Sequence, residues 1–173
     1  EGVRLTLISR DIETPYSGML PGYLAGHYTF EDCHVDLAPL ALAAGARLYQ
    51  SRAVGLDLLT GRVLCSDRPS VSFDTASFDI GSTPDLASIK GHEHALAIKP
   101  VHAFLERWER LEPDLLALER EIELAIVGGG TGGIEVALCL HHRLSTALET
   151  AQKSLGITIH VITDKADILT NHS

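Results

Sequence analysis

Three glycines at GxGxxG spacing carry the clearest chemical signal in this sequence. They are Gly128, Gly130 and Gly133, within a run that extends from Leu124 through Val127 and the glycines to Leu138. The apolar residues Leu124 to Val127 read as a strand. Those from Ile134 to Leu144 read as a helix, with Ile134, Ala137, Leu138 and Leu140 available for packing. In that setting each glycine has its own physical role. Gly128 permits the tight turn, Gly130 lets backbone amides approach a pyrophosphate, and Gly133 permits close helix–strand packing. The helix N-terminus adds unpaired N–H groups and the positive end of a dipole, both suited to phosphate oxygens. A glycine-rich turn in some other α/β protein is the plainer reading of the same residues.

A second strand expected over Ile157 to Thr163 ends at Asp164. A carboxylate there accepts hydrogen bonds from ribose hydroxyls and repels a 2′-phosphate, which favours NAD over NADP. Asp164 stands 31 positions after Gly133, against the usual ~20; an insertion over Ser145 to Gly156 would account for the excess. Other chemistry is weaker. The histidines of His92-Glu93-His94 and His141-His142 lack the i, i+4 spacing of a helical metal pair, so no metal site is expected. Cys33, Cys65 and Cys139 form no CxxC or CxxxxC pair, so neither a disulfide framework nor a dithiol redox centre is signalled. Cys139, on the helix after the glycines, reads as a small buried hydrophobe rather than a nucleophile.

The elements that must position these residues alternate between strand and helix. Val3 to Ser9 reads as a strand, Thr14 to Gly26 as a Pro/Gly-rich loop, and Asp36 to Ala44 as a helix stopped by Gly45. Ala46 to Leu48, Ala53 to Leu58 and Arg62 to Cys65 suggest a small meander turning at Thr60-Gly61. Ser72 to Ile80 suggests a further strand, broken by Gly81-Ser82-Thr83-Pro84, and Pro84 to His94 suggests a linker. From Val101, Phe104, Leu105, Trp108 and Leu111 recur at helical spacing; Pro113 is expected to divide this stretch into two short helices.

Composition bounds the function classes. The 173 residues include 23 Asp+Glu and 14 Lys+Arg, a formal net charge of −9, which argues against nucleic acid as partner because phosphate contacts need clustered cations. With 45% hydrophobic and 21% charged residues the chain can bury a core. No apolar run approaches the roughly 18 residues of a membrane span, and no signal peptide is recognisable, so a reducing, cytoplasmic setting is expected.

The segment Ser72-Phe-Asp-Thr-Ala-Ser-Phe-Asp-Ile-Gly-Ser-Thr-Pro84 resembles the YDxLxxATGSxP strand of flavoproteins with two dinucleotide folds. Together with Tyr16-Ser-Gly-Met-Leu-Pro-Gly22 and GGGTGGIEVA, it makes the chain similar to FAD-dependent pyridine nucleotide-disulfide oxidoreductases of the type II NADH dehydrogenase kind. Within that family the chain resembles the NADH dehydrogenase-like flavoprotein fused in some bacteria to selenide, water dikinase. The resemblance implies an α/β fold with parts of two Rossmann-like, three-layer domains, combining parallel sheet with a small β-meander. Residues 1–97 would form a partial FAD domain and residues 98–173 a partial NAD(P)H domain. It also implies that the chain is an internal fragment: the strand and glycine motif that hold the flavin pyrophosphate would precede it, and the rest of the NAD domain would follow it.

Carried over by position, the resemblance places Ser9 and Arg10 at the flavin ribose, where the family more often has an acid. Tyr16, Met19, Leu20 and Pro21 would approach the isoalloxazine, backbone groups of Ala53 and Val54 the adenine, and Gly81 and Ser82 the flavin pyrophosphate. Asp79 departs from the small residue usual in that motif. Lys99 matches a basic position near flavin or nicotinamide, with a solvated surface lysine as the alternative. Glu135, expected on the first helical turn, would lie near the nicotinamide or simply favour the helix N-terminus. The implied activity is hydride transfer from NADH to FAD and electron transfer to an acceptor such as a quinone, with the cofactors carrying the chemistry. The missing cysteine pair argues against the disulfide reductase and sulfide:quinone branches. Two other readings stay open: a nucleotide-binding module without turnover, and a redox-partner module of a selenide, water dikinase fusion. Association into a homo-oligomer is expected if a strand of the parallel sheet lies outside the chain. A membrane-peripheral parent remains an alternative to a purely cytoplasmic one.

Overall fold

A computed structural model describes residues 2–87 and 89–169. In chain order its elements are β1 (Thr6–Ser9), β2 (Glu13–Pro15), α1 (Leu20–Leu24), α2 (Phe30–Cys33), β3 (His34–Asp36), α3 (Leu37–Ala43), β4 (Arg47–Gln50), β5 (Ala53–Asp57), β6 (Arg62–Cys65), β7 (Val71–Ser72), α4 (Val101–Leu116), β8 (Ile122–Val127), α5 (Thr131–Thr150) and β9 (Ile157–Ile162). The architecture is mixed α/β, with two parallel strand pairs, an antiparallel pair formed by β2 and β3, and a small three-stranded antiparallel sheet. Among the described residues no helix is long and apolar enough to cross a membrane. The chain divides into two compact units built from alternating segments. Unit 1 takes the residues up to Pro15 and His34–Gly81; unit 2 takes Tyr16–Cys33 and the residues from Ser82 onward.

In unit 1, β1 and β4 are parallel, with Thr6 opposite Arg47 and Ser9 opposite Gln50. The connection between them ends in α3, whose start is fixed by Asp36: its carboxylate accepts from the Ala38 N–H at 2.9 Å. Gly45 follows at φ +62, the left-handed conformation that ends a helix with little strain when no Cβ is present. β5, β6 and β7 form an antiparallel sheet. Its first turn is organised by Asp57, which accepts from the N–H groups of Leu59 and Thr60 and from the Thr60 hydroxyl. These bonds hold the Asp57 carboxyl below the ordinary aspartate range, the Thr60 hydroxyl contributing most.

Unit 2 holds the larger core. β8 alternates, with Ile122 buried and Leu124 and Ile126 packed against the core while Glu123, Ala125 and Val127 face outward. β9 runs parallel to it, Ile122 opposite Ile157 and Val127 opposite Ile162. α5 crosses between them and buries Val136, Ala137, Leu140, Leu144 and Leu148, a stripe dominated by i, i+4 steps. Phe104, Leu105 and Trp108 of α4 and Leu20 and Leu24 of α1 close the core.

Several expectations require correction. Thr14 to Gly26 is not a loop: it contains a single-turn 3-10 helix at Ser17–Met19 and then α1. Pro21 falls in the first turn of α1, where its missing N–H is not needed, and Leu20 and Leu24 supply an apolar pair for the core. The strand after Gly45 is not part of the meander but the parallel partner of β1; the meander's third strand is β7 instead. Only Val71–Ser72 of the stretch before Gly81 is strand, and Phe78 and Ile80 stand exposed. Pro113 does not divide the helix. α4 runs through it because the apolar residues on both sides, Trp108, Leu111, Leu115 and Leu116, pack against one core. No insertion separates α5 from β9: the extra residues before Asp164 extend α5 itself, 20 residues long.

Candidate functional site

The first candidate site lies at the carboxyl edge of the β8/β9 pair. The register that sets Val127 opposite Ile162 brings the glycine loop and the residues after β9 side by side, and the Gly128 N–H donates to the Ile162 carbonyl at 2.8 Å. Gly128 has φ +124, a conformation that side-chain-bearing residues rarely adopt, so the turn off β8 depends on glycine. Gly133 is required for a different reason. A Cβ there would fall 1.9 Å from the Gly128 carbonyl oxygen, so α5 can start this close to the loop only with hydrogen at that position. At Gly130 and Gly132 an added Cβ meets nothing within 4 Å. The protein thus leaves open space over these residues while closing tightly behind them.

Gly130 caps α5 with backbone at φ −79, ψ 178, no side chain caps the helix, and no acid occupies its first turn. The first amides of α5 have no intrahelical acceptor, as at any helix start. Thr131, Gly132 and Gly133 can therefore present N–H groups to an anion, each such hydrogen bond contributing about 1.5–3 kcal/mol. The arrangement fits the pyrophosphate of a dinucleotide. Asp164 follows β9 at the same edge, its side chain 85% exposed and 3.5 Å from the Lys165 ammonium. A residue that no sequence motif marks, Thr163, packs its side chain where a Cβ on Gly129 would stand, 2.9 Å away. The chain then folds back so that the Leu169 N–H donates to the Gly129 carbonyl at 2.9 Å.

Glu135 is the fifth residue of α5, beyond the first turn on which the glycine spacing would put it. Its value as a favourable acid at the helix start is correspondingly reduced, since the dipole effect falls off within that turn. It does act on Cys139 one turn later: burial, then the Glu135 charge, pushes that thiol above its ordinary range. Cys33 is raised likewise, by burial and then by Asp32. All three cysteines are free, and among the described residues no group of three or more His, Cys, Asp and Glu side chains could hold a metal ion.

The remaining residues named for flavin contact divide between the units. In unit 1, Ser9 ends β1 with its hydroxyl donating to the Asp11 carbonyl at 2.7 Å, and Arg10 pairs with the Asp11 carboxylate at 2.6 Å. Ala53 and Val54 open β5 on the exposed surface, and Gly81 has φ +68. In unit 2, Tyr16 is exposed, Met19 and Pro21 are half-buried, and Leu20 is buried in the core, where it is unavailable to a ring system. Lys99 donates from its ammonium to the Ser82 hydroxyl at 3.1 Å, which links two positions named separately from the sequence.

Unit 1 carries a second feature that no motif marks. An open cleft of about 460 Å³ lies beyond the carboxyl ends of β1 and β4 and is lined by Arg10, Gln50, Ser51, Arg52, Ser66, Asp67 and Arg68. Its trace in the sequence is a basic residue just after each of three strand ends.

No family model matches this sequence, and no curated protein matches it. Solved structures do. The sulfide:quinone oxidoreductase of Aquifex aeolicus superimposes at a TM-score of 0.62 with 21% identity over 92% of this chain and 37% of that one. A ferredoxin reductase of Rhodopseudomonas palustris gives 0.61 with 14% identity over 91% and 44%. The NAD-dependent persulfide reductase of A. fulgidus gives 0.61 with 15% identity over 92% and 35%. These likenesses establish the fold, a Rossmann-like α/β arrangement shared with oxidoreductases. The chain spans well under half the length of each of these structures.

Proposed function

We propose that this chain is the nucleotide-binding part of a flavin-dependent oxidoreductase that takes hydride from NADH to FAD and passes electrons to an acceptor such as a quinone. The observation that carries the reading is the glycine loop: Gly133 is sterically obligatory, Gly128 is conformationally required, and the space over Gly130 and Gly132 is open. Neither Gly130 nor Gly132 has a left-handed φ or a close neighbour that demands glycine, so the fold itself gives no reason for glycine at these two positions. FAD and NADH supply the redox chemistry when bound; the protein's part is to hold and orient them.

In unit 2, the amides of Thr131, Gly132 and Gly133 hold the NADH pyrophosphate, and Asp164 accepts from the adenosine ribose hydroxyls while repelling a 2′-phosphate. Glu135, on the second turn of α5, faces the nicotinamide half. Lys99 and Ser82 act together on a flavin oxygen, the hydroxyl fixing the ammonium. Residues 1–97 and 98–173 remain the proposed division between flavin and nicotinamide functions. The finer resemblance, to the flavoprotein fused to selenide, water dikinase, would make the chain a supplier of reducing equivalents to that fusion. The superimposing structures include a persulfide reductase and a ferredoxin reductase, which supports the reaction class.

The test is a visible absorption spectrum of the purified protein, followed by anaerobic addition of NADH. Flavin bands bleached by NADH are expected of the full-length protein. A full-length protein free of flavin would leave a nucleotide-binding module as the better account.

A further inference from the structure

We infer that His27 and His142 together bind one divalent transition-metal ion of the zinc class, with water completing its shell. The two rings come from distant parts of the chain and meet on the surface of unit 2, their centroids 5.2 Å apart and their planes tilted by 45°. Spacing along the sequence marks neither of them, because each stands on a different element. Among the described residues no third His, Cys, Asp or Glu side chain joins them, so the site is a two-imidazole one.

The separation of the rings is what a shared ion requires. Zinc meets an imidazole nitrogen at about 2.0–2.1 Å and that nitrogen lies about 1.1 Å from the ring centre, so two imidazoles on one tetrahedral ion have centroids about 5.2 Å apart. At the right angle of a square-planar or octahedral ion the figure falls to about 4.5 Å. The tilt matters as well. A nitrogen lone pair lies in the plane of its ring, so parallel stacked rings cannot aim at one point, whereas tilted planes intersect.

The backbone under both rings is fixed before any ion arrives. The His27 N–H donates to the Gly22 carbonyl at 2.9 Å, closing the turn off α1. Just before it, Gly26 has φ +81, and a Cβ there would fall 2.9 Å from Nη1 of Arg143, the neighbour of His142. Leu20 and Leu24 of α1 share one core with Leu140 and Leu144 of α5, which flank His142. Charge does not oppose a cation here. Arg143 is compensated by the Glu112 carboxylate, which accepts from its Nε at 2.5 Å and its Nη2 at 3.0 Å, and the chain as a whole carries −9. Both rings are exposed, so an ion reaches them directly. It would clamp to α5 the segment Tyr16–Cys33, which enters unit 2 between two stretches of unit 1.

The inference does not rest on the flavin reading. The test is calorimetric titration of the chelator-treated chain with zinc chloride, repeated with His27→Ala, His142→Ala and the control His141→Ala after circular dichroism confirms their folding. One equivalent of zinc should bind, at least about tenfold more weakly in the first two variants and unchanged in the third. Magnesium, which takes oxygen ligands, should not compete. Should a variant fail to fold, the wild-type protein loaded with cobalt(II) decides: intense visible bands report the expected tetrahedral site, and a faint octahedral spectrum overturns the inference. Zinc affinity that survives either His27→Ala or His142→Ala, an equal loss in His141→Ala, or no stoichiometric binding also overturns it.

Discussion

Replacing Gly133 with alanine separates the steric from the ligand-binding role of the glycine loop. The new Cβ would stand 1.9 Å from the Gly128 carbonyl oxygen, where real Cβ contacts essentially never fall below 3.0 Å. The start of α5 and the loop must therefore move apart by about 1 Å, through backbone that is itself fixed by the Gly128 N–H bond to Ile162. Overpacking of this kind costs about 1–3 kcal/mol, with the upper end expected because the obstacle is a carbonyl rather than a flexible side chain. Alanine recovers about 0.5–1 kcal/mol through helix propensity, leaving a net loss of about 2 kcal/mol. In a unit of roughly 100 residues that lowers the unfolding midpoint by about 10 °C.

Gly130→Ala is the matching control. Its Cβ meets nothing within 4 Å and its φ of −79 suits any residue, so stability should change by no more than about 0.5 kcal/mol. The methyl group would instead occupy space proposed for the pyrophosphate, and NADH affinity should fall about tenfold or more, the loss of one charge-assisted hydrogen bond. Trp108 is the sole tryptophan and is buried in the core of unit 2, so its fluorescence reports thermal unfolding of that unit directly. A Gly133→Ala protein as stable as wild type would refute the packing argument. A Gly130→Ala protein with unchanged NADH affinity would refute the placement of the phosphates.

Asp164→Ala should raise NADPH affinity relative to NADH, measured by parallel titrations; an unchanged ratio would remove Asp164 from cofactor selection. Tyr23 has its hydroxyl pushed up to about 12, first by burial and then by the hydrogen bond it donates to Glu109 at 3.0 Å. Because the folded value lies above the unfolded one, stability is fully present below about pH 10 and declines as pH rises from there through 12. Tyr23→Phe should flatten that decline by about 1 kcal/mol, the full shift being reduced by solvent screening; an unaltered alkaline limb in denaturant titrations would contradict this. Pro113→Ala should stabilise the protein by about 1 kcal/mol, because it restores a backbone donor inside α4 against a smaller entropic loss from the unfolded chain. Chemical denaturation showing a loss would mean that the ring packs to more effect than the missing bond.

The sequence disclosed those parts of the fold that rest on local chemistry. β8, the glycine turn, α5 and β9 were legible because strand, loop and helix each carry their own signal over consecutive residues. Asp36 and Gly45 bounded α3 for the same reason. What escaped depended on distant partners. Nothing near Arg47–Gln50 shows that its neighbour is β1 rather than β5, because parallel pairing joins segments some 40 positions apart. Pro113 is a local breaker, yet the shared core beneath Trp108 and Leu115 outweighs it. The arginine cleft was hidden because its lining comes from three separate strand ends, none of which forms a motif alone. Glu135 falls just past the first turn of α5, because the spacing of glycines does not reveal which residue begins the helix.

Glycine-selective isotope labelling with amide spectroscopy, recorded as NADH is added, tests the central claim most directly. The chain has 15 glycines distributed over both units, so each reports on its own surroundings. The amides of Gly128, Gly130, Gly132 and Gly133 should move in proportion to saturation, while those of Gly45 and Gly61, in the turns of unit 1, stay in place. Saturable shifts confined to unit 1, or no shifts at any glycine of the loop, would contradict the assignment of α5 and its glycine turn as the nicotinamide nucleotide site.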